Sequence, residues 1–307
     1  MAVYTELTPS DLREVASIFG LTKITSVQDF ADGQENSNYH IQTDGQEYVL
    51  TLCENKTIEE VQILIDTLRY LEVHGFSTTR IIPTREGATQ AEIHGKPLLL
   101  KSYLSGQVID PLPLETMYPL GQAMARLHQV PAPDFLPDQL AYGRETFGPM
   151  QQNFGRPHHF LSWLNTIEKH LQNHLPKNLP RALIHADIFA DNVILSPDQG
   201  PVIMDFEEAA TYYRVFDLGM AIVGTCYPKG VLNSASREEL LCGYKSVTPL
   251  TKAEERALNA ATIYAAAAMA SWRFWQFNVV QPGAGKQEHY RALQKIADDL
   301  LADTLDG

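Results

Sequence analysis

Residues 183–195 read LIHADIFADNVIL, with His185, Asp187, Asp191 and Asn192 packed between two apolar runs. Such a stretch is either a surface turn rich in Asp and Asn or a loop that carries chemistry, and its flanks decide. Residues 192–205 continue as a hairpin: NVIL, the turn SPDQGP, then VIMD. Asn192 starts the first strand and Asp205 ends the second, symmetric about a turn at Asp198–Gln199. Antiparallel pairing then brings those two ends together. An amide oxygen beside a carboxylate is a pair of hard oxygen ligands. Mg²⁺ accepts such a pair when nucleotide phosphates complete its shell. Asp187, on the loop leading into the hairpin, is placed to take a proton from an attacking hydroxyl or to orient it. Phosphoryl transfer asks a protein mainly for positioning and charge neutralisation.

The rest of the chain fits an α+β architecture in two parts. The segment TPSDLREVASIFGL reads as a helix capped by Thr8 or Ser10. YHIQT and EYVLTL flank Asp44-Gly45, a dipeptide suited to a tight hairpin. Before them lies a polar loop, FADGQENSNYHI. TIEEVQILIDTLRYLEVHG carries an apolar stripe of Ile58, Val61, Leu64, Ile65, Leu68 and Leu71, and Gly75 stops it. GKPLLLKSYLSG is an apolar strand running into a turn. Beyond residue 105 the pattern is helical at 114–129, 159–174, 216–226, 236–246, 252–278 and 286–305, interrupted by strand only at 183–205. A β-rich lobe over 1–101 therefore precedes a helical lobe over 102–307.

The motif H-x-D-x-x-x-x-N followed by Asp205-Phe206 resembles the catalytic and metal-binding motifs of protein-kinase-like folds. His185-Ala186-Asp187 is similar to the aminoglycoside phosphotransferase and choline kinase superfamily. AMARLH at 123–128 matches a helix end of that superfamily, and Asp217-Leu218 a later motif. The resemblance implies a bilobal protein-kinase-like fold, with a small antiparallel-sheet lobe and a larger, mainly helical one. It implies ATP bound with Mg²⁺ in the cleft between lobes, with Asp187 as base, Asn192 and Asp205 as metal ligands, and Asp217 accepting backbone N–H bonds from the catalytic loop. His185 belongs to the loop and either orients it or serves the chemistry; His128 reads as a packed structural residue. Gly33, Ser37 and Asn38 lie where such folds place a loop over the phosphates. Backbone groups of Ser102, Tyr103 and Leu104 would pair with adenine.

Within that superfamily, ENSNY at 35–39, HADIFADNV, GYKSVTPLT at 243–251 and ASWRFWQFN at 270–278 resemble the homoserine kinases of the kinase-like type, over nearly the whole chain. The implied acceptor is L-homoserine, phosphorylated on the path to threonine. Its carboxylate calls for a cation and its ammonium for an acid. Arg273, among aromatics, is either the carboxylate fork or one half of an internal salt bridge with Asp217 or Glu207. Glu207 and Glu208 either hold the ammonium or form a solvated pair. Alternative acceptors are another amino alcohol, an aminoglycoside or a hydroxylated amino acid. A nucleotide-binding regulatory protein with little catalysis is the reading from another class.

Three places depart from the resemblance. Thr51 stands where kinases carry a strand lysine, so Lys56 and Lys101 become candidate substitutes, and Glu59 or Glu60 is released for another role. Glu207-Glu208 replaces an aromatic after Asp205-Phe206. Val223-Gly224-Thr225-Cys226 stands where the branch shows Asn-Ala-Trp-Cys.

Composition sets the partners. A formal net charge of −13 over 307 residues argues against nucleic acid or an anionic membrane as partner. Cys53, Cys226 and Cys242 show no metal spacing and suit a reduced, cytoplasmic interior. Acids within the first dozen residues do not suit a secretory signal. The longest apolar run, near Ala260–Ala270, is roughly half of a bilayer span.

Overall fold

The computed structural model describes residues 5–30, 36–283 and 285–305. The chain forms two compact units, Met1–Ser105 and Gly106–Gly307.

The first unit runs α1 (Pro9–Phe19), β1 (Ile24–Asp29), β2 (Asn36–Thr43), β3 (Glu47–Cys53), α2 (Ile58–Val73), β4 (Ala91–Ile93) and β5 (Lys96–Ser102). Its strands form one antiparallel sheet in the order β1-β2-β3-β5-β4. Thr8 caps α1 through a reciprocal box with Asp11, and Thr57 does the same for α2 with Glu60. Glu60 thus spends its carboxylate on the helix start, where it also complements the macrodipole. Val15 and Phe19 of α1 pack on Tyr39, Ile41, Leu50, Leu52, Leu98 and Leu100, all from one face of the sheet.

Strand β2 begins earlier than the sequence suggests. Ser37 and Asn38, expected in a polar loop, pair with Leu52 and Thr51 of β3. The side-chain period of two then sends them to opposite faces. Ser37 joins the face that packs on α1; Asn38 joins Thr51.

The second unit runs β6 (Gln107–Val108), α3 (Leu114–Leu127), α4 (Phe147–Phe154), α5 (His159–His174), β7 (Arg181–Ile184), β8 (Val193–Ser196), β9 (Gly200–Ile203), β10 (Ala210–Tyr213), α6 (Arg214–Thr225), α7 (Ser234–Val247), α8 (Lys252–Trp275) and α9 (Arg291–Leu305). A π turn, Gln276–Val280, follows α8. The run Ala260–Ala270 is buried all round in α8, as a central core helix should be. Among the described residues, no helix is long and apolar enough to cross a membrane.

Two features of this unit position the loop that carries His185 and Asp187. Helices α3 and α7 touch backbone to backbone: a Cβ on Gly121 would stand 2.0 Å from Leu240 O, and one on Gly243 2.0 Å from Tyr118 O. That approach sets His128, just past α3, against Tyr244 of α7. Strands β7 and β10 pair antiparallel, so the loop leaving β7 at Ile184 starts beside the chain that enters α6 and carries Asp217.

The β8–β9 hairpin forms, with a register one residue off the expected one. Val193 pairs with Ile203 and Ser196 with Gly200, which centres the turn on Asp198. Asn192 therefore faces Met204, whose N–H donates to Asn192 O at 3.0 Å. Asp205 comes one step later, with φ at +67°. This left-handed residue ends the ladder and turns the carboxylate out of it.

Candidate active site

The loop after β7 is held at almost every polar atom. Asp217, fully buried on α6, accepts the N–H of Ala186 on Oδ1 at 2.7 Å and that of His185 on Oδ2 at 3.2 Å. His128 Nε2–H donates to the same Oδ2 at 2.9 Å, and the Tyr244 hydroxyl donates to His128 Nδ1 at 2.9 Å. Burial alone would raise the Asp217 carboxyl; the hydrogen bonds from His128 and the Ala186 N–H outweigh it and hold it below the usual range. Asp217 is thus fully engaged with the loop and His128, which removes it as an internal partner for Arg273.

His185 is buried, and its ring has one hydrogen-bond arrangement. Nδ1 accepts from the Asp187 N–H at 3.2 Å, so Nε2–H donates to Met204 O at 2.8 Å. Burial holds its pKa below the ordinary value, against the pull of Asp217 and Met204 O. The imidazole ties the loop to the end of the hairpin and stacks edge-on with Phe206. These contacts orient the loop.

Asp187 stands where the loop meets the hairpin. Asn192 Nδ2 donates to its backbone oxygen at 2.8 Å and to Oδ2 at 3.0 Å. Burial pushes its carboxyl up to about 8, with Asp205, Glu208 and Asp191 adding to the rise and the Asn192 amide opposing it. With Nδ2 engaged on Asp187, the Asn192 Oδ1 points elsewhere. Neither it nor the exposed Asp205 carboxylate makes a hydrogen bond among the described residues. Among those residues no group of three or more His, Cys, Asp or Glu is arranged to hold a metal alone. Two hard oxygens that need phosphate oxygens to complete the shell fit a hydrated divalent cation.

Arg273, near the end of α8, lies over the Phe189 ring at 6.0 Å. Its guanidinium forms no ion pair or hydrogen bond among the described residues. Burial lowers its pKa, opposed by the charges of Asp187 and Asp191. A guanidinium half-withdrawn from water with no ion-pair partner among the described residues has the chemistry to receive an anion. Glu208 is among the acids whose charges bear on Asp187; Glu207, expected to face the substrate, is half-buried next to Glu208 in the chain. Gly224 of α6 lies under this loop: a Cβ there would stand 2.3 Å from Ile188 O and 2.8 Å from Phe189 Cα. The residue that replaces the branch's Ala therefore lets α6 press closer on the loop than any side chain would.

In the first unit, Gly33 lies outside the described residues. Ser37 is buried, and its hydroxyl donates to Glu54, which also pairs with Lys96 and Thr5. Ser37 is committed to that cluster, because strand alternation turned it from the Asn38 side. Burial would raise the Glu54 carboxyl, yet the bonds from Lys96, Ser37 and Thr5 hold it at about 2. Asn38 Oδ1 accepts from Thr51 Oγ1 at 2.6 Å. Val49, on the Thr51 face, pairs with Lys101, so Lys101 shares the face of Thr51 and Asn38. Lys56 sits beside Glu60 at the start of α2. The N–H groups of Ser102 and Tyr103 donate to Arg80 O and Glu47 O. That of Leu104 has no hydrogen bond among the described residues. Tyr103 stacks on His40 at 4.3 Å.

Sequence reasoning passed over Tyr142. It lies far from the motif in the chain, and no spacing pattern points to it.

The sequence matches the profile of the phosphotransferase enzyme family over residues 26–250. The chain belongs to that family. It is 30% identical to a homoserine kinase of Xanthobacter autotrophicus, over 84% of this chain and 83% of the relative. It is also 30% identical to a homoserine kinase of Paramagnetospirillum magneticum, over 96% of each. Among solved structures it resembles amicoumacin kinase in complex with AMP-PNP and Ca²⁺, with a TM-score of 0.73 at 17% identity, covering 94% of this chain and 92% of that one. The fold is kinase-like and the chain is a small-molecule kinase.

Proposed function

We propose that the chain transfers the γ-phosphoryl group of ATP to the hydroxyl of L-homoserine. The observation that supports this most is the pairing of two groups in the second unit: Asp187, held by Asn192, and Arg273, a cation without a partner in the field of Asp187. A base for a hydroxyl beside a cation for a carboxylate suits a hydroxylated amino acid. Relatives named homoserine kinase support the same acceptor.

In this reading Asp187 accepts the proton of the acceptor hydroxyl as its oxygen bonds the γ-phosphorus and ADP departs. Asn192 orients the Asp187 carboxylate with Nδ2 and presents Oδ1, with Asp205, to the divalent cation. A divalent cation held by these two oxygens would supply charge neutralisation for the leaving group. Arg273 forks the substrate carboxylate, and Glu208 meets the ammonium. Leu104 N–H is assigned to adenine and Lys101, on the Thr51 face, to the phosphates.

The test is ADP release from Mg·ATP with L-homoserine present or absent, with Asp187→Asn as blank. Homoserine-dependent release that vanishes in the blank is expected. Release that responds instead to another alcohol would move the acceptor. The closer seat of α6 at Gly224 and the Glu207-Glu208 pair favour including aminopropanol and aminoglycosides in the panel.

A further inference from the structure

The left-handed conformation of Ala186, φ +70°, is unusual for a residue with a Cβ, and it sits immediately before Asp187. Something must hold it. Asp217 grips one side of the residue through the N–H at 2.7 Å. The other side, the peptide joining Ala186 to Asp187, is gripped from elsewhere: the buried Tyr142 hydroxyl donates to Ala186 O. We propose that Tyr142 is a positioning residue for phosphoryl transfer, fixing through Ala186 O the peptide plane from which the Asp187 side chain springs. The inference rests on the reading of Asp187 given above.

Tyr142 is mounted to do this. The next residues are anchored from behind: Arg144 N–H donates to the Tyr264 hydroxyl at 2.9 Å, and the Arg144 guanidinium forks Glu168 at 2.6 and 3.0 Å. Gly143 N–H closes a turn onto Leu140 O at 3.1 Å. The phenol therefore stands on a fixed base and its hydroxyl cannot follow the loop if the loop relaxes. Burial, with the charges of Glu208, Asp187 and Asp217, keeps the phenol protonated and so a donor. The two jaws are independent in sequence, one from the segment before α4 and one from α6. They close on the two peptide groups of a single strained residue.

The experiment compares Tyr142→Phe, Ala186→Gly and the double variant, with Asp187→Asn and Tyr212→Phe as references. Tyr212 is a second buried tyrosine, hydrogen-bonded to Tyr264 and away from the loop carbonyl. Tyr142→Phe keeps the ring and is expected to lower kcat about 10- to 100-fold, the scale of a small misplacement of a reacting group. The Kd for Mg·ATP stays within about 2-fold. Glycine tolerates φ > 0 without strain, so adding Ala186→Gly is expected to recover most of the lost kcat. Tyr212→Phe leaves kcat unchanged. A Tyr142→Phe enzyme with normal kcat, a loss that Ala186→Gly does not relieve, or an equal loss in Tyr212→Phe overturns the proposal. If Tyr142→Phe does not fold, the double variant must fold and turn over near the Ala186→Gly rate; otherwise the proposal falls. An Asp187→Asn enzyme with normal kcat would instead overturn the assignment of Asp187 itself.

Discussion

Asp217 Oδ1 lies 2.7 Å from the backbone nitrogen of Ala186, and that contact joins α6 of the second unit to the loop that carries Asp187. The carboxylate is spread over three donors, two from the loop backbone and one from His128. Asp217→Ala would orphan all three in a buried place. At about 1–3 kcal/mol for each unsatisfied group, the loss in unfolding free energy is expected to reach at least about 3 kcal/mol. A urea titration reads it from the midpoint, and an unchanged midpoint would show that the loop is held by other means.

Asp187 should leave a signature in the pH dependence of stability. Burial pushes its carboxyl in the folded state up to about 8, above the ordinary aspartate value of 3.8. The folded state therefore keeps a proton that the unfolded chain gives up. This stabilising contribution is fully present below about pH 4 and is lost as pH rises through about 8. Asp187→Asn, neutral throughout, escapes the loss. In protein stripped of metal and nucleotide, its gain in Tm over wild type should be small at pH 5 and largest at pH 9. A gain that does not vary with pH would contradict the buried environment assigned to Asp187.

Arg273 should divide binding from chemistry. Arg273→Met is expected to raise the KM for a carboxylate-bearing acceptor by about 100-fold, the worth of a charge-assisted fork. The KM for ATP stays within about 2-fold. Arg273→Lys should recover little, because an ammonium cannot reproduce the planar pair of donors. Because the guanidinium has no internal partner, Arg273→Met should also leave Tm unchanged or higher. A lower Tm with normal KM would mark Arg273 as a packing residue.

Lys101 and Lys96 lie on the same strand with opposite expectations. Lys101 shares the face of Thr51, so Lys101→Met should raise the KM for ATP about 10-fold, the scale of one lost phosphate contact. Lys96 neutralises the buried Glu54, so Lys96→Met should cost stability and leave the KM for ATP alone. Reversal of the two phenotypes would relocate the phosphate-binding cation.

Much of the fold was legible because amphipathic period and end signals are local. The stripe from Val61 to Leu71, the Thr57 and Thr8 caps and the Asp44-Gly45 turn each lie within a few residues. What went unseen depends on the third dimension. The hairpin register slipped by one because the polar turn SPDQGP does not say which residue is its centre; the ladder does, and it chose Asp198. Ser37 read as a loop donor because Gly, Asn and Ser surround it; pairing with Leu52 turned it toward α1 and Glu54. The loop motif itself was readable because His185, Asp187, Asp191 and Asn192 lie close together in a short stretch of chain. Tyr142 was not, since its partner is a backbone oxygen, which any residue carries.

The hydrogen-bond arrangement of His185 has one more consequence. Its Nδ1 is occupied by the Asp187 N–H and its Nε2 by Met204 O, so adding a proton would have to eject the very amide that carries the reactive side chain. The ring is a joint that works only uncharged, and burial keeps it uncharged where an ordinary histidine would begin to titrate. The joint between loop and hairpin is in this sense deaf to acidity near neutrality.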